Sequence, residues 1–209
     1  MNKMIKAALF LAVSIVPLTS MAMPEAFIDG VHYKATPTIL ATSNENKIEV
    51  VELFSYSCPH CFKLEPEVQK WKETLPENVS FIQVPAIFRD SWMQLARVFY
   101  TAEATGDLET LHPLIFNAIH VKKRRLQTEE QLLDFVAEQG IDRDAFEKMM
   151  NSMTVRLKVK KALVLSQKSG VTGVPSMIVN GQYRTDAPLA GGMTEMLNAV
   201  DFLIQKQAN

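Results

Sequence analysis

Cysteine is almost absent from this chain: Cys58 and Cys61 are the only two in 209 residues. They are three positions apart, so a disulfide between them would close almost no loop. A structural disulfide is therefore a poor explanation for the pair. A strong charge of either sign is also lacking, because the formal net charge is −1. The chain therefore has no basic field to attract nucleic acid. No apolar run beyond the first 22 residues is long enough to cross a bilayer.

The first 22 residues have the layout of a secretory signal. Lys3 and Lys6 give a positive start, and an apolar run occupies residues 7–16. Ser20-Met21-Ala22 then places small residues at the two positions that signal peptidase reads. The run is too short for a permanent anchor, so we expect residues 1–22 to be removed on export, with the bacterial periplasm as destination. A buried N-terminal helix is the alternative.

Hydrophobic patterning beyond the signal predicts an α/β fold with a helical insertion. Residues 48–54 are rich in β-branched and aromatic side chains, which predicts a buried strand just before the two cysteines. A helical pattern, a second strand and a long series of helical patterns follow. Strand character returns near residue 176 and leads into the Asn180-Gly181 hairpin signal. This order predicts a core from residues 23–88 and 171–209, with a helical domain at 89–170 inserted in it.

The cysteine pair lies where a strand gives way to a helix, which suits thiol chemistry. Unpaired N–H groups and the dipole at a helix start stabilise an anion, so we expect a low pKa and nucleophilic behaviour at Cys58. Pro59 suits the first helical turn, and His60 adds a further stabilising influence. Cys61, one turn in, is the expected resolving thiol. A stabilised thiolate favours the dithiol form, so the disulfide is expected to act as an oxidant.

The cysteine pair also admits two other interpretations. A zinc site could combine Cys58 and Cys61 with histidines, but the chain has four histidines and no second cysteine pair. An inert structural disulfide is disfavoured by the short loop that it would close. We therefore expect no metal and no cofactor other than the redox-active disulfide between Cys58 and Cys61.

Two separated motifs resemble the DsbA family of bacterial periplasmic thiol oxidases, which have a thioredoxin-like fold. The first runs from Glu49 to Phe62 and contains Cys58-Pro59-His60-Cys61; the second runs from Gly173 to Gly181. The resemblance covers nearly the whole chain after the signal. It implies a thioredoxin-like fold with the helical domain inserted between the strand after the active-site helix and a strand that begins with a cis-proline.

The resemblance also implies roles for residues that the patterns alone do not single out. Val174-Pro175 is expected to be a cis peptide beside the cysteines, with the Val174 backbone free to pair with an extended substrate. Phe62 is expected to add an apolar contact. Glu52 corresponds to the family's buried acid and is expected to assist proton transfer at Cys61, although a solvent-facing Glu is the alternative. The family often has a Lys where this chain has Gln83.

The expected function is donation of disulfides to newly exported proteins that contain cysteine. A disulfide isomerase or reductase on the same fold is one alternative, although the chain leaves little room for a dimerisation module. A peptide-binding chaperone with an incidental disulfide is another. The resemblance further implies a DsbB-type membrane quinone reductase as a partner, and we expect a monomer. The basic cluster at residues 122–125 is expected to be a solvated face, with partner docking as the alternative.

Overall fold

The computed structural model describes residues 27–208, so the predicted signal at residues 1–22 lies outside the described part of the chain. Strands and helices alternate at both ends of this part, and helices alone fill the middle. In chain order the elements are β1 (Lys34–Ala35), β2 (Ile48–Phe54), α1 (Pro59–Lys72), β3 (Val79–Pro85), α2 (Met93–Thr105), α3 (Leu108–His120), α4 (Glu129–Glu138), α5 (Arg143–Met150), α6 (Met153–Lys168), β4 (Ser176–Val179), β5 (Tyr183–Asp186), α7 (Ala187–Ala190) and α8 (Met193–Ala208).

The strands form one mixed sheet whose order within the described residues is β1-β5-β4-β2-β3. β2 runs parallel to β3 and antiparallel to β4, so it lies inside the sheet, and all seven of its residues are buried. Its neighbours bring Gln83 of β3 and Met177 of β4 directly beside Glu52. The strand that leads into the cysteines is therefore held from both sides.

Both faces of the sheet are covered, which explains why five of the seven residues of β2 are apolar. Val50 of β2 packs with Leu64 and Val68 of α1 and with Val200 of α8. Val51 and Leu53 point the other way, into a larger cluster that includes side chains of α2, α3 and α6. Because successive residues of a strand face opposite sides, Glu52 shares the α1 side with Val50.

Five helices, α2 to α6, lie between β3 and β4, as the patterning predicts. Several of their ends follow local signals closely. Thr128 and Gln131, which have the spacing of a capping box, form both of its reciprocal hydrogen bonds at the start of α4, and Asp142 caps α5. No helix between residues 27 and 208 is long and apolar enough to cross a membrane.

The hairpin between β4 and β5 places the Val174-Pro175 segment. Asn180 and Gly181 have φ values of 49° and 64°, as a tight turn of this kind requires. The return strand occupies Tyr183–Asp186, one residue later than the pattern of 182–185 predicts. The very short β1, which no pattern indicates, pairs with β5 and completes that edge of the sheet.

Candidate active site

Cys58 occupies the N-cap position of α1, and Cys61 lies in the first turn of the same helix. The backbone of Cys58 is extended (φ −91°, ψ 118°), and its carbonyl accepts the first helical hydrogen bond, from the N–H of Phe62 at 3.1 Å. Pro59 is the first helical residue, where its missing N–H costs nothing. The helix therefore begins at the cysteine pair, as the sequence predicts.

The Cys58 thiol is half-buried and its pKa is lowered to about 6. The largest cause is a hydrogen bond from the Cys61 side chain, and burial opposes it. Backbone hydrogen bonds at Cys61 and His60, at the start of the helix, lower the pKa further, and the charge of His60 adds a smaller effect in the same direction. Cys58 is therefore largely a thiolate at neutral pH.

Cys61 has the opposite character. Its side chain is 1% exposed, and burial raises its pKa far above the usual value for a thiol. The hydrogen bond and charge of Cys58 raise the pKa further, and so does the charge of Glu52. Both cysteines are unpaired, so the structure shows the dithiol form, in which Cys61 holds its proton against the Cys58 sulfur.

The peptide bond between Val174 and Pro175 is cis, as the resemblance implies, and it lies beside Cys58. The Sγ atom of Cys58 is 3.3 Å from the carbonyl oxygen of Val174. Pro175 is buried, whereas Val174 is half-buried. A hydrogen bond from Ser176 Oγ to the Gly173 carbonyl, at 2.9 Å, holds this segment at the start of β4.

Phe62 lies beside the cysteines, half-buried, with its ring stacked on that of His120. The ring centroids are 4.9 Å apart and the planes differ by 12°. The Nε2 atom of His120 in turn lies 2.8 Å from the carbonyl oxygen of Tyr56. His60, by contrast, is exposed. The predicted site residues thus gather at one end of α1.

Glu52 is fully buried, so the alternative of a solvent-facing Glu is wrong. Its Oε2 atom accepts a hydrogen bond from Gln83 Nε2 at 2.9 Å. Burial and the charge of Glu65 raise the pKa of Glu52 to about 8, and the hydrogen bond from Gln83 opposes them. Glu52 therefore holds a proton at neutral pH and can exchange it near that pH.

Sequence reasoning missed three buried groups behind the cysteines: Glu65, His112 and Tyr56. Glu65 is four residues after Cys61, and this spacing places it on the same helix face, so the position could have been recognised. His112 gives no such signal, because it comes from α3, 56 residues after the Tyr56 hydroxyl that it contacts at 2.8 Å. Only the folded structure brings α3 to this place.

The basic cluster at residues 122–125 is mostly exposed. Arg124 forms an ion pair with Glu138 and lies 5.1 Å above the ring of Phe135. Arg124 and Arg125 of this cluster line a groove of about 310 Å³, together with residues that include Ser57, Trp92 and Ile119.

Comparison with known proteins agrees with this arrangement. Residues 49–199 match the family described as DSBA-like thioredoxin domain. The chain is 40% identical to the thiol:disulfide interchange protein DsbA of Azotobacter vinelandii, over 99% of this chain and 98% of that protein. A crystal structure of Pseudomonas aeruginosa DsbA superposes with a TM-score of 0.83 at 40% identity, covering 87% of this chain and 95% of that one. The oxidoreductase DsbA of Xylella fastidiosa gives a TM-score of 0.78 at 29% identity, over 85% and 95% of the two chains.

Proposed function

This chain belongs to the DSBA-like thioredoxin family and is a thiol:disulfide oxidoreductase, and we propose that it works as an oxidase that donates the Cys58–Cys61 disulfide to other proteins. One observation carries the proposal. The accessible sulfur has a pKa lowered to about 6, while its partner is buried behind it with a pKa raised far above the usual value. Such a pair is more stable as a dithiol with Cys58 ionised, which makes its disulfide an oxidant.

The proposed reaction takes two thiol–disulfide exchange steps. A client thiolate attacks Sγ of Cys58 in the disulfide form, and the Cys58–Cys61 bond breaks as the mixed disulfide forms. Cys61 leaves with the electron pair and takes up a proton. A second client thiolate then attacks the client sulfur of the mixed disulfide and expels Cys58 as a thiolate. The client loses two electrons and two protons, and the cysteine pair gains both electrons.

The lowered pKa of Cys58 assists both steps. It makes Cys58 a good leaving group in the second step, because a thiolate that is stable in the product leaves readily. Accessibility directs the first attack to the same atom, since Cys58 is half-exposed and Cys61 is buried. His60 and Pro59 support this role from the first turn of the helix.

The Val174-Pro175 segment is the proposed binding site for the client backbone. The Val174 carbonyl lies 3.3 Å from the attacked sulfur, so a client cysteine that reaches this sulfur also reaches the Val174 backbone. An extended client can then pair with it as an added strand. Phe62, half-buried on the other side of the cysteines, offers an apolar surface to the same client.

Glu52 is the proposed source of the proton that Cys61 needs when it leaves. The support is its complete burial, its pKa of about 8 and the effect of its charge on the Cys61 thiol. A carboxyl group with a pKa near the working pH can donate a proton and recover it afterwards. Gln83, on the neighbouring strand, fixes its position without adding a charge.

The proposed place of work is the bacterial periplasm, with newly exported cysteine-containing proteins as clients. Support comes from the secretory layout of residues 1–22 and from the family. A DsbB-type membrane quinone reductase is the proposed partner that restores the disulfide, and the protein is proposed to act as a monomer. No cofactor beyond the cysteine pair is proposed.

The decisive experiment is the redox equilibrium of the cysteine pair with glutathione. Lowering the pKa from 9 to about 6 favours the dithiol about tenfold at pH 7, or ~1.4 kcal/mol and ~30 mV. Solvent screening at a half-exposed sulfur makes this an upper value for the contribution of Cys58. An equilibrium on the oxidising side of thioredoxin is expected. An equilibrium at or below that of thioredoxin would favour a reductase instead.

A further inference from the structure

A single amide joins two buried carboxyl groups behind the cysteines. Gln83 Nε2 is 2.9 Å from Oε2 of Glu52 and 3.0 Å from Oε2 of Glu65. A primary amide has two N–H groups, so Gln83 donates one to each carboxyl group and has none left. The two acids come from β2 and α1, and Gln83 comes from β3. The amide brings no positive charge to the pair.

The two carboxyl groups receive unequal numbers of donors. Glu65 accepts a second aligned hydrogen bond, from Gln69 Nε2 at 2.6 Å, and His112 Nε2 lies 3.2 Å from its Oε1 atom. The ring nitrogen is not aligned as in a straight hydrogen bond, but this third contact still lowers the pKa of Glu65. Glu52 accepts only the bond from Gln83, and its buried Oε1 atom has no partner within residues 27–208.

His112 is held in place from its other side. Its Nδ1 atom lies 2.8 Å from the Tyr56 hydroxyl. Burial and the charge of Glu65 raise the pKa of Tyr56 well above its usual value, so the phenol keeps its hydrogen and can donate it to Nδ1. Nε2 then carries the hydrogen of the ring and directs it towards Glu65. The rings of Phe54 and Phe116 pack against the imidazole at centroid distances of 5.2 and 5.1 Å.

Two carboxyl groups in one buried space do not ionise together easily. Donors stabilise the ionised form of the group that they contact, and a buried oxygen without a donor favours the protonated form. The donors converge on Glu65, and the oxygen without one belongs to Glu52. Burial opposes ionisation of Glu65, but the contact with His112 and the hydrogen bonds from Gln69 and Gln83 lower its pKa below the usual value.

We propose that His112 is a positioning residue: together with Gln69 and Gln83 it keeps Glu65 as the anion and so places the shared proton on Glu52. This inference rests on the proposed role of Glu52 as the proton source for Cys61. It adds the residues that keep the proton on Glu52 and not on Glu65. His112 forms no hydrogen bond to either cysteine within residues 27–208, and it acts through Glu65. Without it, Glu65 is expected to hold its negative charge less firmly and to compete with Glu52 for the proton.

The test is a carboxyl titration by NMR of the full dithiol protein with ¹³C-labelled glutamate side chains. Glu52→Gln and Glu65→Gln assign the two signals. The other ionisable groups around the pair are Cys58, Cys61, Tyr56 and His112. The thiols are therefore titrated in parallel by their absorbance at 240 nm. In the unmodified protein Glu65 is expected to be ionised well below pH 8 and Glu52 only near it.

His112→Phe keeps a ring in the aromatic cluster but removes both nitrogens. Because Gln69 and Gln83 still donate to Glu65, this change is expected to raise the pKa of Glu65 and to bring the two ionisations closer together. His112→Gln retains an N–H donor and is expected to restore the normal separation. His120→Phe is the matched control, because it removes a neighbouring imidazole that lies against Tyr56 and Phe62 and not against Glu65. It is expected to leave the separation unchanged.

Gln69→Leu provides a second test if His112→Phe does not fold. It removes an aligned donor from Glu65 at a half-buried position and is expected to bring the two ionisations closer together. An unchanged separation between the two ionisations in either His112→Phe or Gln69→Leu would overturn the proposal. The titration involves no client and no exchange reaction. It can therefore fail while the oxidase function holds, and succeed even if Glu52 transfers no proton to Cys61.

Discussion

Cys58 Sγ lies 3.3 Å from the carbonyl oxygen of Val174, a residue 116 positions later in the chain. This contact joins the start of α1 to the segment that begins β4, with the whole block from α2 to α6 between them in sequence. A thiol can donate to this carbonyl, but a thiolate cannot. The disulfide form has no S–H at Cys58 either, so the Val174 carbonyl is not bound by this sulfur in the form that a client attacks.

The stability of the dithiol form is expected to depend on pH through Cys58. Its pKa is lowered from 9 to about 6, so the folded state gives up the proton more readily than the unfolded chain. The resulting stabilisation is present in full above pH 9 and is lost as pH falls through about 6. Three pH units correspond to ~4 kcal/mol, which solvent exposure of the sulfur reduces to roughly 2 kcal/mol.

Urea unfolding of the reduced protein at pH 5, 7 and 9 measures this contribution. The comparison is with Cys58→Ser, which lacks the ionisable group but retains the fold and every other titrating side chain. The free energy of unfolding of the unmodified protein is expected to rise with pH relative to that variant. If the free energy of unfolding changes with pH by the same amount in the unmodified protein and in Cys58→Ser, the start of α1 does not stabilise the thiolate.

Replacing Cys61 by Ser is expected to trap mixed disulfides. Cys58 remains accessible and ionised, so it can attack a client disulfide, bind one client sulfur and release the other as a thiolate. The buried thiol that would normally displace the client is then absent. Adducts are expected on non-reducing gels with Cys61→Ser and none with Cys58→Ser. Equal adducts with both variants would contradict the assignment of Cys58 as the nucleophile.

Local signals predicted much of this fold. β2 has the predicted bounds because five of its seven residues are apolar, which suits a strand covered on both faces. The capping box of Thr128 and Gln131 is present with both of its hydrogen bonds, since the two residues that form it are three positions apart. Turn residues likewise located the hairpin at Asn180-Gly181.

The contacts that tune the site could not be predicted in this way. His112 reads in the sequence as one more residue of an apolar helix, and nothing near it indicates a buried acid. Its partners Tyr56 and Glu65 come from the segment around α1, so the contact exists only because α3 packs against that helix. The two residues of β1 carry no periodicity at all, and their pairing with β5 depends on the edge that the hairpin offers.

Gly181→Ala is expected to destabilise the hairpin that follows the Val174-Pro175 segment. Gly181 has a φ of 64°, and a Cβ atom there would meet the carbonyl oxygen of Leu40 at 2.2 Å. The backbone cannot yield easily, because the Gly181 carbonyl accepts the Leu40 N–H at 2.9 Å. We expect a loss of more than ~2 kcal/mol in the free energy of unfolding.

Gly173→Ala is the matched control for Gly181→Ala. It adds the same methyl group three positions before β4 begins, where no atom lies within 4 Å of the added carbon. A change within ~0.5 kcal/mol is expected in the same urea titration. Similar losses for both variants would show that the close approach to Leu40 is not the cause.

Glu52→Gln is expected to stabilise the protein increasingly as the pH rises. The pKa of Glu52 is raised from 4.5 to about 8, so the folded state binds this proton more tightly than the unfolded chain. That advantage is full below pH 4.5 and is lost as pH rises through about 8, where burial of the charge becomes costly. The free energy of unfolding of Glu52→Gln is expected to exceed that of the unmodified protein by about 3–5 kcal/mol at pH 9.

Glu67→Gln is the control for this stability series. It makes the same chemical change on an exposed side chain of α1, two positions from Glu65. Its effect is expected to stay within ~0.5 kcal/mol at every pH. If Glu52→Gln also shows no dependence on pH, the buried carboxyl group does not change its ionisation on folding.

The same Glu52→Gln variant is expected to slow the step in which Cys61 leaves. Glu52 holds a proton below pH 8 and can give it to the departing sulfur, whereas a glutamine cannot. Reduction of the disulfide form by a small thiol, followed by acid quench and alkylation, is expected to be about tenfold slower below that pH. The difference in rate is expected to narrow above pH 8, because the unmodified protein then also lacks the proton.

Alkylation of Cys58 in the dithiol form serves as the control, since it does not involve Cys61 leaving. A rate ratio that does not vary between pH 6 and pH 10 would show that Glu52 does not supply the proton.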